Sequence, residues 1–81
     1  MRSVIKTATL DDVLPGLPVV VQRPHLDLAY THRLAELGIR AGASVSVLMR
    51  TAGGGGVIAV ADSRIALDAR TLRQIPVTSQ E

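Results

Sequence analysis

Apolar positions recur along the chain with two different periods, and the switch between them orders the elements. Thr9 stands three residues before Asp12 in Thr9-Leu10-Asp11-Asp12-Val13, a capping-box spacing with Asp in place of Glu that predicts one short helical turn. Pro15-Gly16 ends that turn, and Leu17 to Gln22, dense in β-branched Val, predicts the first full strand. Pro24 in Arg23-Pro24-His25 has no N–H for a ladder, so the chain leaves the sheet there. From Asp27 the period becomes 3.6. Tyr30, Leu34 and Leu37 fall on one face and Arg33, Glu36 and Arg40 on the other, which predicts a short amphipathic helix capped by Asp27 or Thr31.

Leu37-Gly38-Ile39 reads as the helix stop: Gly38 takes the left-handed conformation, and Ile39 folds back onto Leu34. Gly42 marks a turn within Arg40-Ala41-Gly42-Ala43. Ser44 to Arg50 then alternates with period two and predicts a strand with Val45, Val47 and Met49 inward. Gly53 to Gly56 predicts a flexible loop between strands. Val57–Ala61 and Arg64–Leu67 form a hairpin through Asp62-Ser63. Asp68 caps a last helical turn through Thr71-Leu72-Arg73, and Ile75-Pro76-Val77 returns as an edge strand, where proline is tolerated. Five short strands, single-turn helices and close turns describe a mainly β domain, a small closed or nearly closed barrel.

With 81 residues the chain has room for one core only, and neither an internal repeat nor a linker divides it. Three segments are expected: an N-terminal extension over 1–8, the domain over 9–77 and a fraying tail over 78–81. The absence of Cys rules out disulfides, thiolate metal sites and a cysteine nucleophile, and Tyr30 as the sole aromatic residue rules out base-stacking platforms for single-stranded nucleic acid. The formal charge of +2 is too small for a nucleic-acid binder despite a pI near 9.9, because eight of the nine cations are arginines that never deprotonate. Lys6 and the Asp11-Asp12 pair interrupt any apolar leader, and no apolar run approaches membrane-spanning length, so a cytoplasmic protein is expected.

Arg33-Leu34-Ala35-Glu36-Leu37-Gly38-Ile39-Arg40-Ala41-Gly42, followed by the Val45/Val47 strand, resembles the central signature of the ferrous iron transport protein A (FeoA) family. Thr9-Leu10, Pro15-Gly16, the Gly53–Gly56 loop, Arg64-Ile65-Ala66-Leu67 and Ile75-Pro76-Val77 follow in the family's order, so the resemblance spans about residues 9 to 77. It implies an SH3-like barrel without catalysis of its own: a small cytosolic accessory that binds the cytosolic GTPase region of the membrane ferrous iron transporter and modulates uptake. A related domain closes iron- and manganese-dependent repressors, which leaves open the alternative of a regulatory module that binds a transition metal or a peptide. Where many members carry Pro and bulkier residues, this loop has only glycine.

Candidate chemistry is sparse. His25, Asp27 and His32 could offer two imidazole nitrogens and a carboxylate to iron or a similar transition metal ion, but they straddle a proline-broken bend and a helix start, where surface and capping roles are the simpler reading. The glycine run lacks the Gly-Lys-Ser/Thr and following helix of a phosphate cradle. Asp11-Asp12 suits the first turn of a helix better than an acid/base pair. No Ser, His and Asp set forms a triad, so no enzyme is expected. Leu34, Leu37, Gly38 and Gly42 are expected to hold the fold, and Arg33, Glu36 and Arg40 are left as the candidate partner-binding face.

Overall fold

The computed structural model describes residues 8–79. Strand β1 (Ala8–Thr9) leads into a 3-10 turn (Leu10–Asp12), then β2 (Val19–Val21), helix α1 (Leu28–Glu36), β3 (Ser44–Arg50), a second 3-10 turn (Ala52–Gly54), β4 (Gly56–Val60), β5 (Ser63–Leu67), α2 (Ala69–Leu72) and β6 (Pro76–Ser79). The strands form one antiparallel sheet in the order β1-β6-β2-β3-β4-β5. It is therefore mainly β as expected, with one strand beyond the five, a two-residue pairing too short to show a period. Of the expected 1–8 extension and 78–81 tail only Ala8, Thr78 and Ser79 fall within the described residues. Ala8 pairs with Val77, and Thr78 and Ser79 pair with Val20 and Val19.

One aliphatic core closes this sheet with the helices. Leu10, Leu34, Ile39, Ile58, Leu72 and Ile75 are its largest fully enclosed side chains. Each contributes roughly 1.5–3 kcal/mol by leaving water. The 3-10 turn delivers Leu10 to this core. Its start is fixed by the Asp12 carboxylate, which accepts the Thr9 N–H at 3.0 Å and the Thr9 hydroxyl at 3.3 Å.

Helix α1 begins at Asp27, whose Oδ1 accepts the Tyr30 N–H at 2.8 Å, while the Thr31 hydroxyl donates to Leu26 O. The helix ends in a Schellman stop. Ile39 N–H reaches Leu34 O at 2.9 Å and Gly38 N–H reaches Ala35 O at 3.0 Å, with Gly38 at φ +100°. Leu34 and Ile39 meet in the core, but Leu37 is 45% exposed, against the expectation that it packs inward. The left-handed Gly38 swings the chain so that Ile39, not Leu37, takes the inward place.

Three further expectations are corrected. Met49 faces solvent at 55% exposure, because a bulge between Val47 and Met49 makes Val47 pair with Ile58 and Met49 with Val57, and the extra residue breaks the period-two alternation. The glycine run is not a free loop. Gly53 and Gly54 hold φ values of +83° and +89° in the second 3-10 turn, Thr51 N–H donates to Gly55 O, and Gly55 and Gly56 are buried. A methyl group on Gly55 would stand 2.6 Å from Leu67 O, so close approach demands glycine there. Lastly, β6 is an interior strand, paired with both β1 and β2. Pro76 is accommodated as its first residue, and its carbonyl accepts the Gln22 N–H at 2.8 Å.

Candidate protein interaction surface

The outer face of α1 and the turn that follows it carry the residues the sequence marked for recognition. Arg33, Glu36 and Arg40 are all exposed, and among the described residues none of the three side chains is engaged in an ion pair or hydrogen bond. Leu37, exposed at the C-cap, extends the Arg33 and Glu36 face, whereas Arg40 lies beyond the left-handed Gly38 in the following turn, outside the helix face on which its spacing placed it. That turn spans residues 40–43. Gly42, at φ +92°, donates to Val21 O at 2.7 Å, and Ala43 donates to Arg40 O at 2.9 Å. Together with Gly38, Ser44 and Val60 this turn lines a shallow open depression beside Arg40. Gly38 closes the end of α1 on Ala35 O, and Gly42 ties the following turn to Val21 of β2, so Arg40 sits between two fixed glycines.

His25, Asp27 and His32 are not gathered into a metal centre. No group of three or more His, Asp or Glu side chains able to hold a metal occurs among the described residues. Both histidines are exposed, and Asp27 spends Oδ1 on the helix cap.

Two features escaped the sequence. Arg50 reaches back 39 residues to the first 3-10 turn: Nη2 lies 2.6 Å from Asp11 Oδ1 and 3.4 Å from Gly54 O, and Nη1 donates to Asp11 O at 3.0 Å. Asp11 thus works as the anchor of a strut rather than as a helix-dipole charge alone. At the other end, the Tyr30 hydroxyl and the Thr71 hydroxyl stand 3.0 Å apart and tie α1 to α2. Asp68 caps α2 by accepting Thr71 N–H at 2.9 Å. The Thr71 hydroxyl and N–H, with Arg70 nearby, hold the Asp68 carboxyl below the usual carboxylate range, against a small opposing effect of desolvation. Spacing in the sequence carries no sign of either cross-link, since each joins segments about forty residues apart.

The FeoA-domain family model matches residues 8–79, all of the described six-stranded unit. The chain belongs to the FeoA family. Among solved structures, the crystal structure of an iron uptake regulatory protein (FeoA) is 23% identical with a TM-score of 0.77, covering 91% of this chain and 97% of its own. Stenotrophomonas maltophilia FeoA complexed with zinc, described as a prokaryotic SH3 domain protein, is 27% identical with a TM-score of 0.70 and covers 85% and 87%. A manganese-dependent transcriptional repressor shares the fold at 22% identity and a TM-score of 0.81, although the match covers 96% of this FeoA chain and only 44% of the repressor. No curated protein matches the sequence. FeoA membership supports an accessory role in ferrous iron transport on an SH3-like, non-catalytic fold. Among the described residues no helix is long and apolar enough to cross a membrane.

Proposed function

We propose that this FeoA chain acts in the cytoplasm as a non-enzymatic accessory that binds the cytosolic GTPase region of the membrane ferrous iron transporter and adjusts its nucleotide cycle, and with it iron uptake. Iron is the cargo of that system. The observation that carries the reading is the end of α1: Arg33 and Glu36 on the helix and Arg40 in the turn after it are exposed, with no ion pair or hydrogen bond to their side chains among the described residues, and Leu37 is exposed between them in sequence. Charges that the fold does not use are free for recognition, and Arg offers planar, bidentate contacts to carboxylates. The double substitution Arg33→Glu and Arg40→Glu is expected to leave the melting temperature nearly unchanged, since exposed charges contribute little to stability. It is expected to weaken binding to the transporter's cytosolic domain by about tenfold at low ionic strength, through lost contacts and slower encounter. High salt should reproduce the effect on wild type. Equal affinities of wild type and double variant in a binding titration would remove this face from the interface.

The shared fold of the manganese-dependent repressor favours a second reading, a metal-responsive regulatory module. Calorimetry with zinc and ferrous iron tests this second reading: stoichiometric tight binding supports it, and no binding removes it.

A further inference from the structure

The described residues leave a cluster of large aliphatic side chains in water on the side of the first 3-10 turn. Leu14 is 71% and Leu17 52% exposed. They overhang a cleft of about 260 Å3 lined also by Asp12, Val13, Val77 and Thr78, between the 12–17 segment and the β6 and β2 ends. The Gly16 N–H bond to Val47 O, at 2.7 Å, holds the overhang against β3, where the exposed Leu48 and Met49 follow. The Arg50–Asp11 pair fastens the start of the same segment. The cleft is thus propped open by named contacts. A volume just below the range of small-molecule sites suits one or two aliphatic side chains better than a cofactor.

Charge decides the occupant. Asp12 is the one ionisable residue in the lining, and Arg50 is committed to its neighbour Asp11. The Asp12 carboxylate meets only Thr9 N–H and Oγ1, so among the described residues it has no cationic partner. An apolar slot with a carboxylate on its rim fits a guest that carries an aliphatic chain and a positive charge a short distance along it. We propose that this cleft is a second docking site, which takes a partner-protein segment bearing a Leu-like side chain next to a Lys or Arg, the cation seated against Asp12. It prefers the charge opposite to that sought by the Arg33/Arg40 face, so this chain can hold two differently charged surfaces at once.

Alkyl probes of one length test the idea without knowledge of the partner. In an NMR titration with n-hexylammonium, n-hexanol and hexanoate, the ammonium is expected to give saturable shifts at Leu14, Leu17 and Val77 and to bind about fivefold more tightly than the carboxylate, the scale of one exposed ion pair. Asp12→Asn should erase the preference while leaving hexanol binding intact. Leu17→Ser, at an exposed position, should abolish binding of all three with the melting temperature kept. Shifts that do not saturate, that spread over the surface, or that show no preference for the cation overturn the proposal. None of these outcomes depends on the α1 face, whose own test uses the transporter's cytosolic domain.

Discussion

Gly38 combines a left-handed φ with a neighbour in the way, because a methyl group there would lie 2.8 Å from Val60 Cγ1. Gly38→Val therefore faces both backbone strain and overpacking, and a loss of about 2–4 kcal/mol is expected in denaturant unfolding. Ala61 poses the opposite problem. It is the one non-glycine residue with positive φ among those described, at +51° in the two-residue connection between β4 and β5. Ala61→Gly is expected to raise stability by about 0.5 kcal/mol, as relief of the strain outweighs the added freedom of the unfolded chain. Asp68 titrates below its ordinary range, so the stability it contributes is present above about pH 4 and is lost as pH falls through its folded value. Asp68→Asn preserves a capping oxygen but removes the charge, and its melting temperature should fall less steeply than that of wild type on acidification below pH 4.

Elements differ in how far the chain announces them. The stop of α1 was legible because a left-handed residue wants Gly and a hydrophobic residue after it, and Gly38-Ile39 supplies both. Asp27 was legible as one of two caps for the same kind of reason. Leu37 was misplaced, since a helical wheel continues inward through the position where the backbone has already turned away. The bulge in β3 left no mark, because an alternating run looks the same with or without an extra residue, and so Met49 was assigned to the core. Substitution separates the two assignments: Met49→Thr should cost under about 0.5 kcal/mol as a surface change, whereas Val47→Ala, in the core of the same strand, should cost about 1–3 kcal/mol. The glycine run misled in a different way. Repeated glycine suggests freedom, yet Gly55 is there because Leu67 O and Thr51 Oγ1 leave no room for a side chain. The surface was the least legible, since only the folded side chains show that Arg50 pairs with Asp11 while Arg33, Arg40 and Asp12 have no ion-pair partner among the described residues.

For the whole molecule, an aliphatic core and antiparallel ladders account for closure with no metal in the scheme. Addition of a chelator is expected to leave the thermal melt where it is, and a drop of several degrees would reinstate His25, Asp27 and His32 as ligands. The two candidate surfaces, basic at the end of α1 and apolar-acidic beside β1 and β6, depend on separate anchors. The first is set by the Gly42 N–H bond to Val21 O, the second by Gly16 on Val47 O and by the Arg50 strut. Damage to one should leave the other working, as expected of a small domain that acts through its faces.

The bond between Tyr30 and Thr71 also gives the protein a built-in optical reporter. With no Trp and no Phe in the chain, all intrinsic ultraviolet emission comes from this single phenol, whose hydroxyl is bonded across the α1–α2 junction. Tyrosine fluorescence and the near-ultraviolet circular dichroism band therefore report on the α1–α2 junction and the core around it. A partner that pries α1 from α2 would change that signal in an otherwise dark molecule, with no label attached.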